Sequence, residues 1–241
     1  MGRFVCALLI APLSLAQSLT EFSAYYVAST NGISGEAERH LIHQAEDRYR
    51  LNVSLEAKVA GVQIGDLEQA SEFLWTEQGI RPLQYDYQVS GVSSDIETVS
   101  FNWDAGIALS ADEDESWTIA LEDQVLDQMS YQQALALAVA ENPEAEEHRL
   151  KLVDGPIVEE HRFRMLGEEI IDTPLGQLRC IKLERVREEN SGRATTIWLA
   201  ADWEHLLAKI EQRNPSGMQI ELSLRMALVG GETVQALGRV N

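Results

Sequence analysis

Apolar and polar residues alternate along most of this chain with a period of two. The clearest run is Tyr49, Leu51, Val53, Leu55, Ala57 and Val59, interleaved with Arg50, Asn52, Ser54, Glu56 and Lys58. Met218, Ile220, Leu222, Leu224 and Met226 alternate in the same way with Gln219, Glu221, Ser223 and Arg225. Successive side chains of a strand point to opposite faces, so this pattern predicts strands with one buried and one wet face, as in antiparallel sheets. Turn signals separate the runs: Asn31-Gly32, Gly79 with Pro82, Ser90-Gly91, Asp104-Ala105-Gly106, Asp154-Gly155-Pro156, Thr173-Pro174-Leu175-Gly176, Ser191-Gly192 and Asn214-Pro215-Ser216-Gly217. Asn-Gly is a strong hairpin signal. Between these turns lie about a dozen candidate strands. Gly167 fits a bulge within one of them, and Pro174 with Gly176 fits a tight turn between two.

One segment breaks the pattern. Ser130 to Ala140 is rich in Ala and Leu, Ser130 and Gln133 have capping-box spacing, and Asn142-Pro143 stops the run. A short helix is expected around residues 130–141, with a brief turn at Asp202 to Leu207. No repeat of fixed period and no low-complexity linker occurs. The expected fold is mainly β: a single curved antiparallel sheet, or a lipocalin-like barrel, forming one domain over residues 17–241.

The first sixteen residues read differently. Arg3 is followed by an apolar run from Phe4 to Leu13 and by small residues up to Ala16. This is the pattern of a secretory signal peptide, with cleavage after Ala16 and periplasmic export expected. No later stretch is long and apolar enough to span a membrane, so no integral membrane segment is expected after cleavage. Cys6 has no spacer before it that would suit a lipid anchor. With Cys6 removed, Cys180 is left without a partner, and it reads as a small buried residue rather than a nucleophile.

Charge narrows the partners. The formal net charge is −20, from 39 acidic and 19 basic residues. From Pro82 to His148 there are fifteen acidic residues and no Lys or Arg. Such a chain is repelled by phosphate backbones, which excludes nucleic acid as a main partner. The acidic surface suits a cationic partner or divalent ions. Simple solubility in salty surroundings is the plainer reading, because charge bears more directly on solubility than on partner.

No catalytic or metal constellation stands out. There is no Gly-x-Ser-x-Gly, no Gly-x-Gly-x-x-Gly and no Gly-Lys-Ser/Thr, so neither an α/β-hydrolase nucleophile nor a nucleotide cofactor is supported, and no cofactor is expected. His40 and His43 fall on opposite faces of a strand and cannot share a metal. Asp112-Glu113-Asp114-Glu115 lacks a calcium loop's glycine, Trp117 standing in its place, and reads as a hairpin tip. Glu159-Glu160 and Glu168-Glu169 split across strand faces, as ordinary surface charge does. A non-enzymatic role follows.

The aromatic residues are more suggestive. Phe73 and Trp75 share one strand face, Tyr85 and Tyr87 the next, and Phe101 and Trp103 a third. Trp198 faces away from Ile197 and Leu199. Trp75, Tyr85, Tyr87, Trp103 and Trp198 are therefore candidates to line a site for an acyl chain or a sugar, although core packing and cross-strand pairing use aromatics in the same way.

Several strings come in order: Gly35-Glu36-Ala37-Glu38-Arg39, Ser71-Glu72-Phe73, Arg81 to Tyr87, Phe163 to Glu169, Asp172 to Gly176, Lys182 to Arg187, Thr196 to Ala200, and Lys209-Ile210-Glu211. Together they resemble a bacterial envelope family known only as domain of unknown function 3108, over roughly Phe22 to Leu228. The resemblance implies a periplasmic antiparallel β domain, curved like lipocalins or the periplasmic lipoprotein carriers. It implies no catalytic residues. The function expected is a non-catalytic binding protein holding a lipid or glycan ligand on the concave face of a sheet. The alternative is an envelope structural or assembly protein with a protein partner.

Overall fold

The structure is a computed structural model, and it describes residues 18–30, 33–60, 62–91, 94–187 and 191–238. The expected signal peptide and the Asn31-Gly32 turn lie outside these residues. Sixteen strands and one helix are present among them. The first half is a meander: β1 (Phe22–Thr30), β2 (Ile33–Ala45), β3 (Arg48–Val59), β4 (Val62–Thr76), β5 (Gly79–Gly91), β6 (Asp95–Asn102), β7 (Ile107–Ala111) and β8 (Ser116–Ala120). Then come β9 (Val125–Leu126) and α1 (Ser130–Glu141). The second half holds β10 (Glu147–Asp154), β11 (Ile157–Thr173), β12 (Gly176–Val186), β13 (Ala194–Ala200), β14 (Leu206–Arg213), β15 (Gln219–Val229) and β16 (Glu232–Thr233).

All sixteen belong to one sheet, in the order 8-7-6-5-4-3-2-1-15-14-13-12-11-10-9, with β16 paired to β15. Every pairing is antiparallel except that of β9 with β10. The two halves join where β1 pairs with β15, from Phe22↔Val229 to Ser29↔Glu221. The sheet curls until β9 touches β5, yet no backbone ladder joins them. Of the two forms expected, the open curved sheet is the one found. The strand total exceeds the expected dozen in part because β9 and β16 are two residues each, too short to show alternation.

Alternation places the core on the concave side. Tyr49 and Leu51 of β3, Phe73 of β4, Phe163 of β11 and Leu183 of β12 are fully buried. Burying each contributes about 2 kcal/mol relative to leaving it in water. Between Met165 and Gly167 the β11–β12 register slips by one, and Gly167 has φ +103°. A β-bulge sits there, and glycine is the residue that meets a left-handed backbone without strain. The β11–β12 turn is closed at Gly176, and Asp112 to Glu115 forms the β7–β8 tip, where Asp112 Oδ1 accepts from the amides of Asp114 and Glu115.

Helix α1 has the expected span but not the expected cap. The Ser130 side chain faces backwards and accepts a 3.1 Å bond from the amide of Asp127. Asp127 does the capping instead, its Oδ1 accepting from the amides of Met129 (2.8 Å) and Ser130 (2.7 Å). The carboxylate is the stronger acceptor, and it stands one turn nearer the strand that leads into the helix. The helix runs along the inside of the curled sheet against β5 and β10. Tyr131, Leu135, Ala136 and Val139 are buried there. No helix among the described residues is long and apolar enough to cross a membrane.

Candidate functional site

Helix α1 does not fill the curl. A cavity of about 730 Å³ remains inside, towards the end where β1–β2, β3–β4, β5–β6 and β14–β15 are connected. Its size falls in the range of small-molecule sites. The reason for the space is in the sequence. Ala28, Gly35, Ala37 and Ala57 occupy inward positions of β1, β2 and β3, and small side chains leave the middle open. Val53, Leu55, Leu67, Ile210, Ile220 and Leu222 supply an aliphatic wall. A second cavity of about 310 Å³ lies along α1, against Ser18 to Phe22 and the β13–β14 turn. Arg39, Gln132, Leu207 and Ile210 line both.

Two groups of polar side chains bear on the larger cavity. Asp154 lines it, and behind Asp154 stand Glu159 and His161, the three bringing their ligand atoms within 4.8 Å of one another. This is the group of described residues with metal-ligand composition. Glu159 Oε2 is already shared between His161 Nε2 (2.9 Å) and Arg185 (3.2 Å), so a cation would compete with a guanidinium. Burial pushes Asp154 above the usual carboxylate range, helped by the neighbouring Glu159. Burial also pushes Glu159 up, but His161 and Arg185 outweigh it and hold this carboxyl low. Burial and then Arg185 lower His161 to about 4. A neutral imidazole at physiological pH follows, with one ring nitrogen, Nδ1, sealed from partners.

Deeper in, Arg39 of β2 is only 6% exposed and makes no ion pair or hydrogen bond among the described residues, and its Nε is sealed. Beside it, Tyr26 donates a 2.8 Å bond to the Leu207 carbonyl, and burial pushes its phenol up to about 12 against the pull of Arg39. Burial raises Tyr131 of α1 as well, with Arg185 and Arg39 opposing. The Tyr131 hydroxyl therefore feels three guanidinium groups, those of Arg185, Arg39 and, more weakly, Arg187.

The five aromatic residues singled out from the sequence do not converge. Tyr85 and Tyr87 line the larger cavity. Tyr85 is buried, accepts a 3.1 Å bond from Gln69 Nε2, and is raised by burial. Tyr87 is raised by burial and then by Asp95 and Glu97. Trp75 borders the smaller cavity. Trp103 lies away from both cavities, donating a 2.6 Å bond to the Pro82 carbonyl, stacked on Phe101 and capped by Arg81 at 5.0 Å. Trp198 lies on the other face of its strand, with Lys182 and Lys209 each 5.2 Å from its ring and Glu169 Oε1 accepting from Nε1 at 2.5 Å. Period-two parity separated Trp198 from its aliphatic neighbours; it did not say which face held the cavity. Arg39 was missed, although Ala37, Arg39 and Leu41 share one parity, which puts a cation on an apolar stripe. That was the available signal. Cys180 is fully buried, and burial pushes its thiol up to about 12, too high for nucleophilic work.

Taken together, the open curled sheet, the internal helix and the cavity between them define a β-barrel-like protein. The chain belongs to the family described as "Protein of unknown function (DUF3108)", whose model matches residues 21–224. No curated protein matches the sequence. Among solved structures, the chain is similar to a beta-barrel-like protein of domain of unknown function DUF1849 from Brucella abortus. The TM-score is 0.56 at 10% identity, over 88% of this chain and 98% of that one. At that identity the likeness concerns the fold alone.

Proposed function

We propose that this protein is an exported, periplasmic, non-catalytic binding protein that holds an apolar acyl ligand inside its curled sheet. The cavity of about 730 Å³ carries this reading: it is formed by strands from both halves of the chain and has a continuous aliphatic stretch in its wall. The aliphatic stretch suits an acyl chain; the lining also holds Tyr85, Tyr87 and Tyr131, but Tyr85 and Tyr131 are buried, which leaves little aromatic face for a sugar ring to stack on. Trp103 and Trp198, two of the aromatics that could have served a sugar, are already covered by cations. The signal-peptide pattern of residues 1–16 supports export, and the high thiol pKa of Cys180 is in keeping with a role without chemistry.

The test is native mass spectrometry of the protein purified from its own host, followed by lipid and glycan extraction. A stoichiometric acyl species is expected. A clean apo mass, repeated in mild detergent, would reject the carrier role. It would move the assignment to an envelope assembly protein, for which the exposed Val59, Val62, Ile96, Ile157, Met218 and Ile220 at the cavity end offer a contact surface.

A further inference from the structure

The larger cavity contains a charge that the protein itself does not neutralise. A buried, unpaired cation is costly, by several kcal/mol after relaxation, unless something compensates it. This chain has 39 acidic residues for 19 basic ones, so a lack of carboxylates does not explain why none of those described pairs with Arg39. Two other cations that face partly buried positions of the sheet are matched. Arg185 meets Glu159 at 3.2 Å, and Lys209 meets Glu211 at 2.7 Å and Glu221 at 3.3 Å. Across the ladder from Arg39 stand Ala24 and Val53, which offer no side-chain acceptor. Its guanidinium lies where the two cavities meet, with Gln132 beside it and the Tyr131 hydroxyl within its field.

We infer that Arg39 anchors the anionic head group of an amphipathic ligand, a carboxylate or phosphate oxyanion at the end of an acyl chain, inside the curled sheet. The inference rests on the acyl-binding reading above and adds the charge and orientation of the ligand. A planar guanidinium offers two parallel N–H donors to such a group, and a low-dielectric surround strengthens the pair. The tail runs along Val53, Leu55, Leu67 and Leu222 towards the open end. The route in has the matching sign. Arg187, Arg193 and Arg213 line the groove beside the mouth, with no ion pair among the described residues, on a chain that is otherwise strongly acidic. Such a local field draws anions to the opening while the rest of the surface repels them.

The experiment titrates the purified protein at pH 8 with cis-parinaric acid and with its uncharged methyl ester, in wild type, Arg39→Met and Arg39→Lys. Wild type should bind the acid about ten- to a hundredfold more tightly than the ester, the range for hydrogen bonds to a charged group. R39M should abolish that preference by lowering the affinity for the acid, and R39K should keep part of it. R39M should also melt at the same or a higher temperature, since it removes a buried unpaired charge, so loss of acid binding would not reflect misfolding. Equal binding of acid and ester by wild type, or an intact preference in R39M, overturns the head-group assignment and leaves the acyl-binding reading standing. Binding of neither probe removes both. Inorganic phosphate, added as competitor, should not displace the acid at matched concentration. Displacement would mean a small-anion site and would overturn the amphiphile.

Discussion

Ser71 and Asp127 fasten the two arms of the sheet to each other: the Ser71 hydroxyl donates a 2.6 Å bond to Asp127 Oδ2 across a gap that no backbone ladder closes. Both residues are fully buried. The other oxygen of Asp127 caps α1, so one carboxylate fixes the closure of the curl and the start of the helix inside it.

Asp127→Ala should therefore destabilise the protein by about 2–4 kcal/mol, because it orphans two backbone amides and a hydroxyl in the interior. Burial raises this carboxyl above its usual range, against the pull of Ser71 and the amides. A raised folded pKa means tighter proton binding in the native state. The contribution is then most favourable below the unfolded pKa of about 4 and declines as pH rises through the folded value. Asp127→Asn keeps an acceptor for the amides and should flatten that decline in urea melts taken across pH.

His161 works in the opposite direction. Its folded pKa of about 4 lies below the ordinary imidazole value, so the unfolded chain takes up the proton first as pH falls. Stability should be full above about pH 6.5 and should fall by about 3 kcal/mol down to pH 4. His161→Gln should remove this component. Urea midpoints at pH 7.5 and pH 4.5 in both proteins would show it, and an unchanged difference between the two pH values in H161Q would count against the assignment.

Leu55→Trp places a large ring against the aliphatic wall of the larger cavity. Acyl-probe affinity should drop at least about tenfold, with little change in melting temperature where a void is filled rather than a packed core overfilled. Trp198→Phe and Trp103→Phe should leave probe affinity unchanged, since both rings are engaged outside the cavities. Fluorescence titration of the three variants would separate the cavity from the aromatic positions that the sequence suggested.

Gly167→Ala probes the bulge. Nothing lies within 4 Å of the added Cβ, so the penalty is that of a non-glycine residue at φ +103° alone. A loss of about 1–3 kcal/mol is expected from chemical denaturation. No loss would mean that the β11–β12 register slides to absorb the change.

Much of this fold can be read in the sequence, because alternation and turn chemistry are local. The β3 run, the stop at Asn142-Pro143 and the bulge at Gly167 each depend on residues a few positions apart. The rest depends on where distant strands meet. Nothing near Asp127 announces Ser71, fifty-six positions earlier. Parity put Tyr85 and Tyr87 on one face and was right to do so, but the cavity exists because Ala28, Ala37 and Ala57 are small. A void is a property of several strands together. Ser130 shows the same limit within three residues: its capping role went to a carboxylate whose position only the folded chain sets.

The β1–β15 join has a consequence for the order of assembly. Phe22 must wait for Val229, so the central seam of the sheet closes only when nearly the whole chain has been synthesised. Until then the eight-strand meander that begins with β1 has an unpaired first strand, an edge open to the wrong neighbour. Contacts this distant along the chain slow folding, and the interval before the join forms is when the chain is most exposed to aggregation. A chain ending before β15 would make that interval permanent.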